Sequence, residues 1–347
     1  MRPFPDLKPD LLAPDPDLQQ AFDTAIASSA QLPRKTPIVI VALNDSAPHG
    51  VAGRLDAEVH YTASLVKVAA MYAAFELRAA ANELLLLAQP PAADVFPLLH
   101  SAFDFVIENN RVLQLTGVNL PGFLLPRWEQ VFDVDPATAA VNFSPAFFGN
   151  LFDAITGGSS DVQANTAAGV VVHGLGFGYL TKAVAEAGFF NPDTASQPQT
   201  ADGMWLCGDF GNGFPPQRIP CMNDTPVAQA TSARQMARLF TFLASNSPLV
   251  DAASDGAMVN LLTQATARLH LFLNRDTSVQ FVTLRSKIGL GPLNNGTRVA
   301  SEAAIIQENS LGRRFVVVFQ NQPFTGDSSI FPVSQVVDAT ITSFLFP

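Results

Sequence analysis

Ser64 and Lys67 stand three residues apart in Tyr61-Thr62-Ala63-Ser64-Leu65-Val66-Lys67, and the run that follows, Val68 to Phe75, is apolar and rich in alanine. Such a run has high helix propensity. Ser64 is therefore expected at a helix start, with Lys67 one turn on along the same face. A serine hydroxyl is a weak nucleophile at neutral pH, and a lysine amine can take its proton only if burial or a neighbouring cation keeps part of the amine uncharged. The first turn of a helix also offers unpaired backbone N–H groups and the positive end of its dipole, both suited to an oxyanion formed in acyl transfer. The plainer reading is an N-cap serine followed by a solvated lysine, because Ser-x-x-Lys arises often by chance. Two features favour chemistry: the apolar flank around Lys67, and the scarcity of lysine, five against fifteen arginines.

Two further stretches carry candidate groups. Leu284-Arg285-Ser286-Lys287-Ile288-Gly289-Leu290 holds the one Lys-x-Gly of the chain, at the expected end of a strand. Gly157-Gly158-Ser159-Ser160-Asp161 precedes a helical pattern that includes Ala164-Asn165. After two glycines, serine and aspartate also suit an ordinary turn and N-cap, and either serine can play that part.

In this order the three segments resemble the elements of the class A β-lactamase and penicillin-binding protein superfamily: Ser-x-x-Lys, then Ser-Asp-Asn or Ser-x-Asn, then Lys-Thr-Gly. The resemblance implies Ser64 as nucleophile, Lys67 as base, Lys287 as a positive charge for a substrate carboxylate or for proton relay, and Ser159 as the relaying hydroxyl. Ser160 stays open as the alternative to Ser159. Asp161 would then hold substrate in place of the usual asparagine. Gly289 and Leu290 would line the substrate, the oxyanion lying between the backbone N–H groups of Ser64 and Leu290. Thr231 to Leu239 and Leu180 to Gly188 resemble the superfamily's flanking helices, so that the likeness spans residues 17 to 345. One feature is missing. The class A enzymes direct the deacylating water with a loop glutamate, and Asn191 to Asp224 contains none; Asp193, Asp202 and Asp209 are more simply solvated or turn-capping residues.

The elements that must position these groups follow from periodicity. Pro16 to Ala30 predicts a helix, Pro37 to Leu43 a buried strand, Val279 to Arg285, Arg298 to Gln307 and Arg314 to Gln320 three more strands, and Val333 to Phe346 a last helix. The middle is dominated by helical patterns: Leu65 to Leu77, Pro145 to Ile155, Ala164 to Ala187 and Ser232 to Ala244. The expected fold is α/β (α+β), β-lactamase/transpeptidase-like: an antiparallel five-stranded sheet flanked by helices, with an inserted all-helical lobe. Residues 1–60 and 276–347 would form the α/β lobe and 61–275 the helical one, with the cleft between them as the natural site. Segment 90–136 reads as an insertion whose aromatics could roof the cleft, form a partner surface or simply pack.

Composition narrows the class. Hydrophobic residues make up 48% and charged residues 14%, which argues against disorder. No apolar run approaches the roughly 20 residues needed to span a bilayer. A net charge of -10 disfavours nucleic acid and anionic membranes, leaving a small molecule as the expected partner and the oligomeric state open. No signal-peptide pattern opens the chain, so it is expected in the cytoplasm or, as a mature form, in the periplasm or outside the cell. The five histidines and two cysteines show no metal-ligand spacing, and neither a metal nor another cofactor is expected. Cys207 and Cys221 share a Gly/Pro/Asn-rich stretch, where a local disulfide and two free thiols are equally open.

Overall fold

The computed structural model describes residues 3–109, 124–191, 202–208, 217–268, 273 and 280–347. Asp193, Asp209 and Val279 lie outside them, as do residues 110–123 of the segment 90–136.

Both ends of the chain build one sheet. After β1 (Leu12–Pro14), the carboxylate of Asp15 caps α1 (Pro16–Ser28), where Pro16 occupies a position whose N–H would go unpaired anyway. β2 (Ile38–Ala42) and β3 (His49–Arg54) follow, then the short β4 (Val59–Tyr61) and α2 (Lys67–Ala88). The helical body continues with α3 (Pro145–Thr156), α4 (Asp161–Leu175) and α5 (Phe177–Glu186), and β5 (Gln229–Ser232) leads into α6 (Ala233–Ala244) and α7 (Ala252–Arg268). The chain then returns through β6 (Phe281–Pro292), β7 (Arg298–Glu308) and β8 (Arg314–Pro323) to α8 (Phe331–Leu345). In space the strands run β1-β3-β2-β8-β7-β6. The five from β3 to β6 pair antiparallel, and three-residue β1 adds an edge strand parallel to β3.

The sheet is buried on both faces, which explains why β2 is an unbroken apolar run rather than an alternating one. Its residues still divide by the strand period of two. Val39 and Val41 face the large core shared with the helical body, while Ile38, Ile40 and Ala42 face the smaller core under α1 and α8. β8 repeats the division, with Val316 and Val318 on one side and Phe315, Val317 and Phe319 on the other.

Three elements differ from the sequence expectation. The helix expected over Ala164 to Ala187 is two helices bent by 82° at Gly176. A Cβ there would lie 2.5 Å from the Leu125 carbonyl oxygen, and φ is +75°, so close packing and backbone conformation both require glycine. β6 does not stop at Arg285; after a bulge between Thr283 and Arg285 it carries Lys287 and Gly289 within its paired length. Cys207 and Cys221 are free thiols, Cys207 being buried, and no disulfide closes that loop.

The described part of segment 90–136 packs into the large core. Trp128 is fully buried, donates its ring N–H to Asp104 at 3.0 Å and lies against Phe103 and Phe132. No single helix among the described residues is long and apolar enough to cross a membrane.

Candidate active site

Ser64 sits on a tight turn rather than within a regular helix. Ala63–Val66 forms one 3₁₀ turn, and α2 begins at Lys67. Ala63, immediately before the serine, has φ +48°, a left-handed backbone that a residue with a Cβ adopts at a cost of about 1–3 kcal/mol. The surroundings hold it there. β4 pairs antiparallel with β5, and the Tyr61 N–H donates to Asn223 Oδ1 at 2.8 Å. On the other side the β6 backbone presses against the turn: a Cβ at Gly289 would lie 2.1 Å from the Thr62 carbonyl oxygen and 2.7 Å from the Leu65 nitrogen. Glycine is thus required at 289 for the strand carrying Lys287 to meet the turn carrying Ser64. The side chain of Leu290 packs away from the turn, toward the core under α1 and α8.

Lys67 and Lys287 are both 2% exposed. Lys67 Nζ donates to Asn165 Oδ1 at 2.8 Å and to the Ala164 carbonyl at 3.2 Å, both at the head of α4. Lys287 Nζ donates at 2.9 Å to the Ile155 carbonyl at the end of α3. The α3–α4 connection therefore bridges the two lysines. Burial first, then the positive charge of Lys287, pulls Lys67 down to about 6, with Asp161 opposing. Burial pulls Lys287 down to about 8, again opposed by Asp161. At neutral pH the first amine is largely uncharged and the second largely charged, which divides the roles of proton acceptor and fixed positive charge.

A neutral amine has two N–H donors and one lone pair. The Ala164 and Asn165 oxygens each accept one N–H of the Lys67 amine.

The middle segment differs from its expected alignment. Ser160 is exposed and caps α4, its hydroxyl accepting the Gln163 N–H at 3.2 Å. Ser159 is exposed as well; its hydroxyl and its backbone N–H, the latter at 3.2 Å, both donate to Gln163 Oε1. Asp161 is exposed in the first turn of α4 and reaches the lysines through its charge. The asparagine in contact with Lys67 is Asn165, near the start of α4, while the hydroxyls of Ser159 and Ser160 meet Gln163. Sequence reasoning gave Asn165 no role at the site. The available signal was a polar side chain beside the buried stripe Ala164, Ala167 and Ala168 at the start of an otherwise apolar helix.

Among the described residues, no group of three or more His, Cys, Asp or Glu side chains is placed to hold a metal ion.

No protein-family model matches the sequence, and no curated protein matches it. Solved structures do. The extended-spectrum β-lactamase TLA-1 is similar over 95% of this chain and 98% of its own, with TM-score 0.54 and 10% identity. A β-lactamase from Chitinophaga pinensis is similar over 94% and 97%, with TM-score 0.52 and 10% identity. A class A β-lactamase representative from Bacteroides cellulosilyticus is similar over 94% and 96%, with TM-score 0.51 and 9% identity. With nearly the full length of both partners aligned at such low identity, the likeness is one of fold: this chain has the β-lactamase/transpeptidase-like fold of the class A β-lactamases.

Proposed function

We propose that the protein is a serine hydrolase acting through a Ser64 acyl-enzyme, on a β-lactam or a related amide or ester. The observation that carries this reading is the buried Lys67 amine, pulled to about 6 and held by two carbonyl oxygens one turn beyond a serine on a strained turn. Lys67 takes the proton as Ser64 attacks the acyl carbon. Lys287 supplies positive charge beside it, both to keep Lys67 uncharged and to meet a substrate carboxylate. The backbone N–H groups of Ser64 and Leu290 receive the oxyanion, a role that rests on the resemblance and is served by the close approach that Gly289 permits. The substrate class includes peptidyl-D-alanine and simple esters, because the fold hosts more than one acyl-transfer chemistry.

Intact-mass spectrometry after incubation with a penicillin and, separately, with an activated ester tests the reading. The expected result is an adduct or turnover in the wild type that disappears in both Ser64→Ala and Lys67→Ala. If neither reagent acylates Ser64 or is turned over, the reading fails. One observation favours a second reading, a non-catalytic binding protein of the same fold: Ser159 and Ser160 are exposed, and their hydroxyls meet Gln163 rather than either lysine.

A further inference from the structure

Resting on the Ser64 acyl-enzyme reading, we infer that Asn223 is a positioning residue for the nucleophile: its side chain clamps the end of β4 and thereby holds the strained turn on which Ser64 stands.

In its small sheet β4 is an edge strand, and it ends at Tyr61, shortly before Ser64. One edge pairs with β5, and just past the strand the Thr62 N–H still donates to the Gln229 carbonyl at 3.4 Å. Strand backbone groups turn alternately to the two edges, so those of Val59 and Tyr61 face the other way. Residues 222 and 223 meet them there. The Met222 N–H donates to the Val59 carbonyl at 2.8 Å, the Tyr61 N–H donates to Asn223 Oδ1 at 2.8 Å, and Asn223 Nδ2 donates to the Tyr61 carbonyl at 3.3 Å. One side chain thus does for Tyr61 what a neighbouring strand would do, accepting from its N–H and donating to its C=O. Asparagine suits this task because an aspartate carboxylate accepts but cannot donate, and an alanine does neither.

The clamp is itself anchored. Asn223 Nδ2 also donates to Asn321 Oδ1 at 3.0 Å. Asn321, in β8, has φ +57°, a left-handed backbone that asparagine adopts more readily than most residues with a Cβ. Its Nδ2 donates to the Lys35 carbonyl at 3.3 Å, and its backbone N–H donates to Ser301 Oγ of β7 at 3.3 Å. The end of β4 is therefore tied to the large sheet, whose strand β6 carries Lys287. A left-handed residue such as Ala63 persists only where its surroundings over-determine it. The close approach of β6 at Gly289 supplies one constraint on the turn, and the Asn223 clamp on the strand that feeds it supplies another. Freedom gained at Tyr61 passes directly into the turn, and a displacement of about 1 Å at a reacting group can cost a hundredfold in rate.

The test uses the full chain with 4-nitrophenyl acetate, comparing wild type with Asn223→Ala, Asn223→Asp, Asn82→Ala and Ser64→Ala. Asn82 is the control for a structural role: it clamps Val141 in the same two-bond way, accepting from its N–H at 2.8 Å and donating to its carbonyl at 2.9 Å, but it lies roughly 22 Å beyond Lys67 along α2. The readings are the limiting acylation rate, the ester concentration at half-saturation and the urea midpoint. Asn223→Ala is expected to lower the limiting rate by about a hundredfold while half-saturation moves by less than about threefold, the pattern of an interaction that serves the transition state rather than binding. Asn223→Asp keeps the acceptor for the Tyr61 N–H and is expected to lose only about tenfold; it carries the comparison if Asn223→Ala does not fold. Asn82→Ala is expected to lower the urea midpoint comparably and to leave the rate within about threefold. Rates in the Asn223 variants within about threefold of wild type, or an equal rate loss in Asn82→Ala, overturn the proposal while the hydrolase reading stands. Ester turnover undiminished in Ser64→Ala is a different outcome, since it overturns the acyl-enzyme reading and this proposal with it.

Discussion

Among the described residues, cationic side chains withdrawn from solvent near the N-terminus and at Ser64 are treated in opposite ways. Near the N-terminus Lys8 meets Glu76 at 3.0 Å, and Arg238, 7% exposed, donates to Gln235 Oε1 and the Gly188 carbonyl and approaches Asp10 at 3.5 Å. There each cation has a carboxylate beside it. Burial still outweighs Lys8 at Glu76, whose carboxyl stays above its ordinary range. At Ser64 the lysines donate instead to the neutral oxygens of Ala164, Asn165 and Ile155, and both amines are pulled well down. The first arrangement ties an N-terminal segment to the helical body. The second keeps one amine largely uncharged at neutral pH, at the expense of stability.

The largest expected effects separate these two uses. Lys67→Ala should lower Ser64 acylation by a factor of about 10²–10⁴, the usual contribution of a general base, while Lys8→Ala should leave the rate unchanged, as read by ester turnover. Stability should move the other way. Lys8→Ala leaves Glu76 buried without its cation and should cost about 3–5 kcal/mol in denaturant unfolding. Lys67→Met should stabilise the fold by roughly 2 kcal/mol, because at neutral pH folding strips a proton from an amine that holds it firmly when unfolded. Loss of stability in Lys67→Met would show that the amine is structural, as Lys8 is.

The pH dependence sharpens the contrast. The acylation rate should rise through about pH 6 as Lys67 loses its proton and fall above about pH 8 as Lys287 does, giving a bell-shaped profile. For stability, the folded values of both lysines lie below the ordinary lysine value of 10.5, so above about pH 6 the unfolded chain binds more protons than the folded one. Stability contributed by this site is therefore lowest below about pH 6 and grows as pH rises. The melting temperature of the wild type should climb more between pH 6 and 9 than that of Lys67→Met, provided both are scanned in the same salt.

Regular elements were the legible part of the sequence. The apolar run at Ile38–Ala42 and the strands returning after residue 280 predicted the shared sheet, since burial on both faces leaves a pattern in residue type alone. Ser64, Lys67 and Lys287 stood out as candidates because each lies in a short motif on such an element. The α3–α4 connection stayed open between Ser159 and Ser160 because three polar residues in a row suit a turn in several alignments. The reach of Lys67 to Asn165 is a contact between distant parts of the chain and leaves no local pattern. The break at Gly176 and the length of β6 were hidden for a similar reason, each being set by a neighbouring backbone rather than by local propensity.

The smallest expected effect tests the part played by Ser160. If Ser160 is the N-cap of α4 and not a relay, Ser160→Ala removes one hydroxyl acceptor from the Gln163 N–H and should cost about 1 kcal/mol in unfolding free energy. Ester acylation of Ser64 should stay within a factor of two or three, roughly the scatter of a surface change. Ser160→Asp, another good cap, should restore the lost stability without touching the rate. A relay serine would behave differently, because replacing its hydroxyl by a carboxylate would keep the cap and alter proton transfer. A rate loss of a hundredfold in Ser160→Ala, unrepaired by Ser160→Asp, would make Ser160 the relaying hydroxyl.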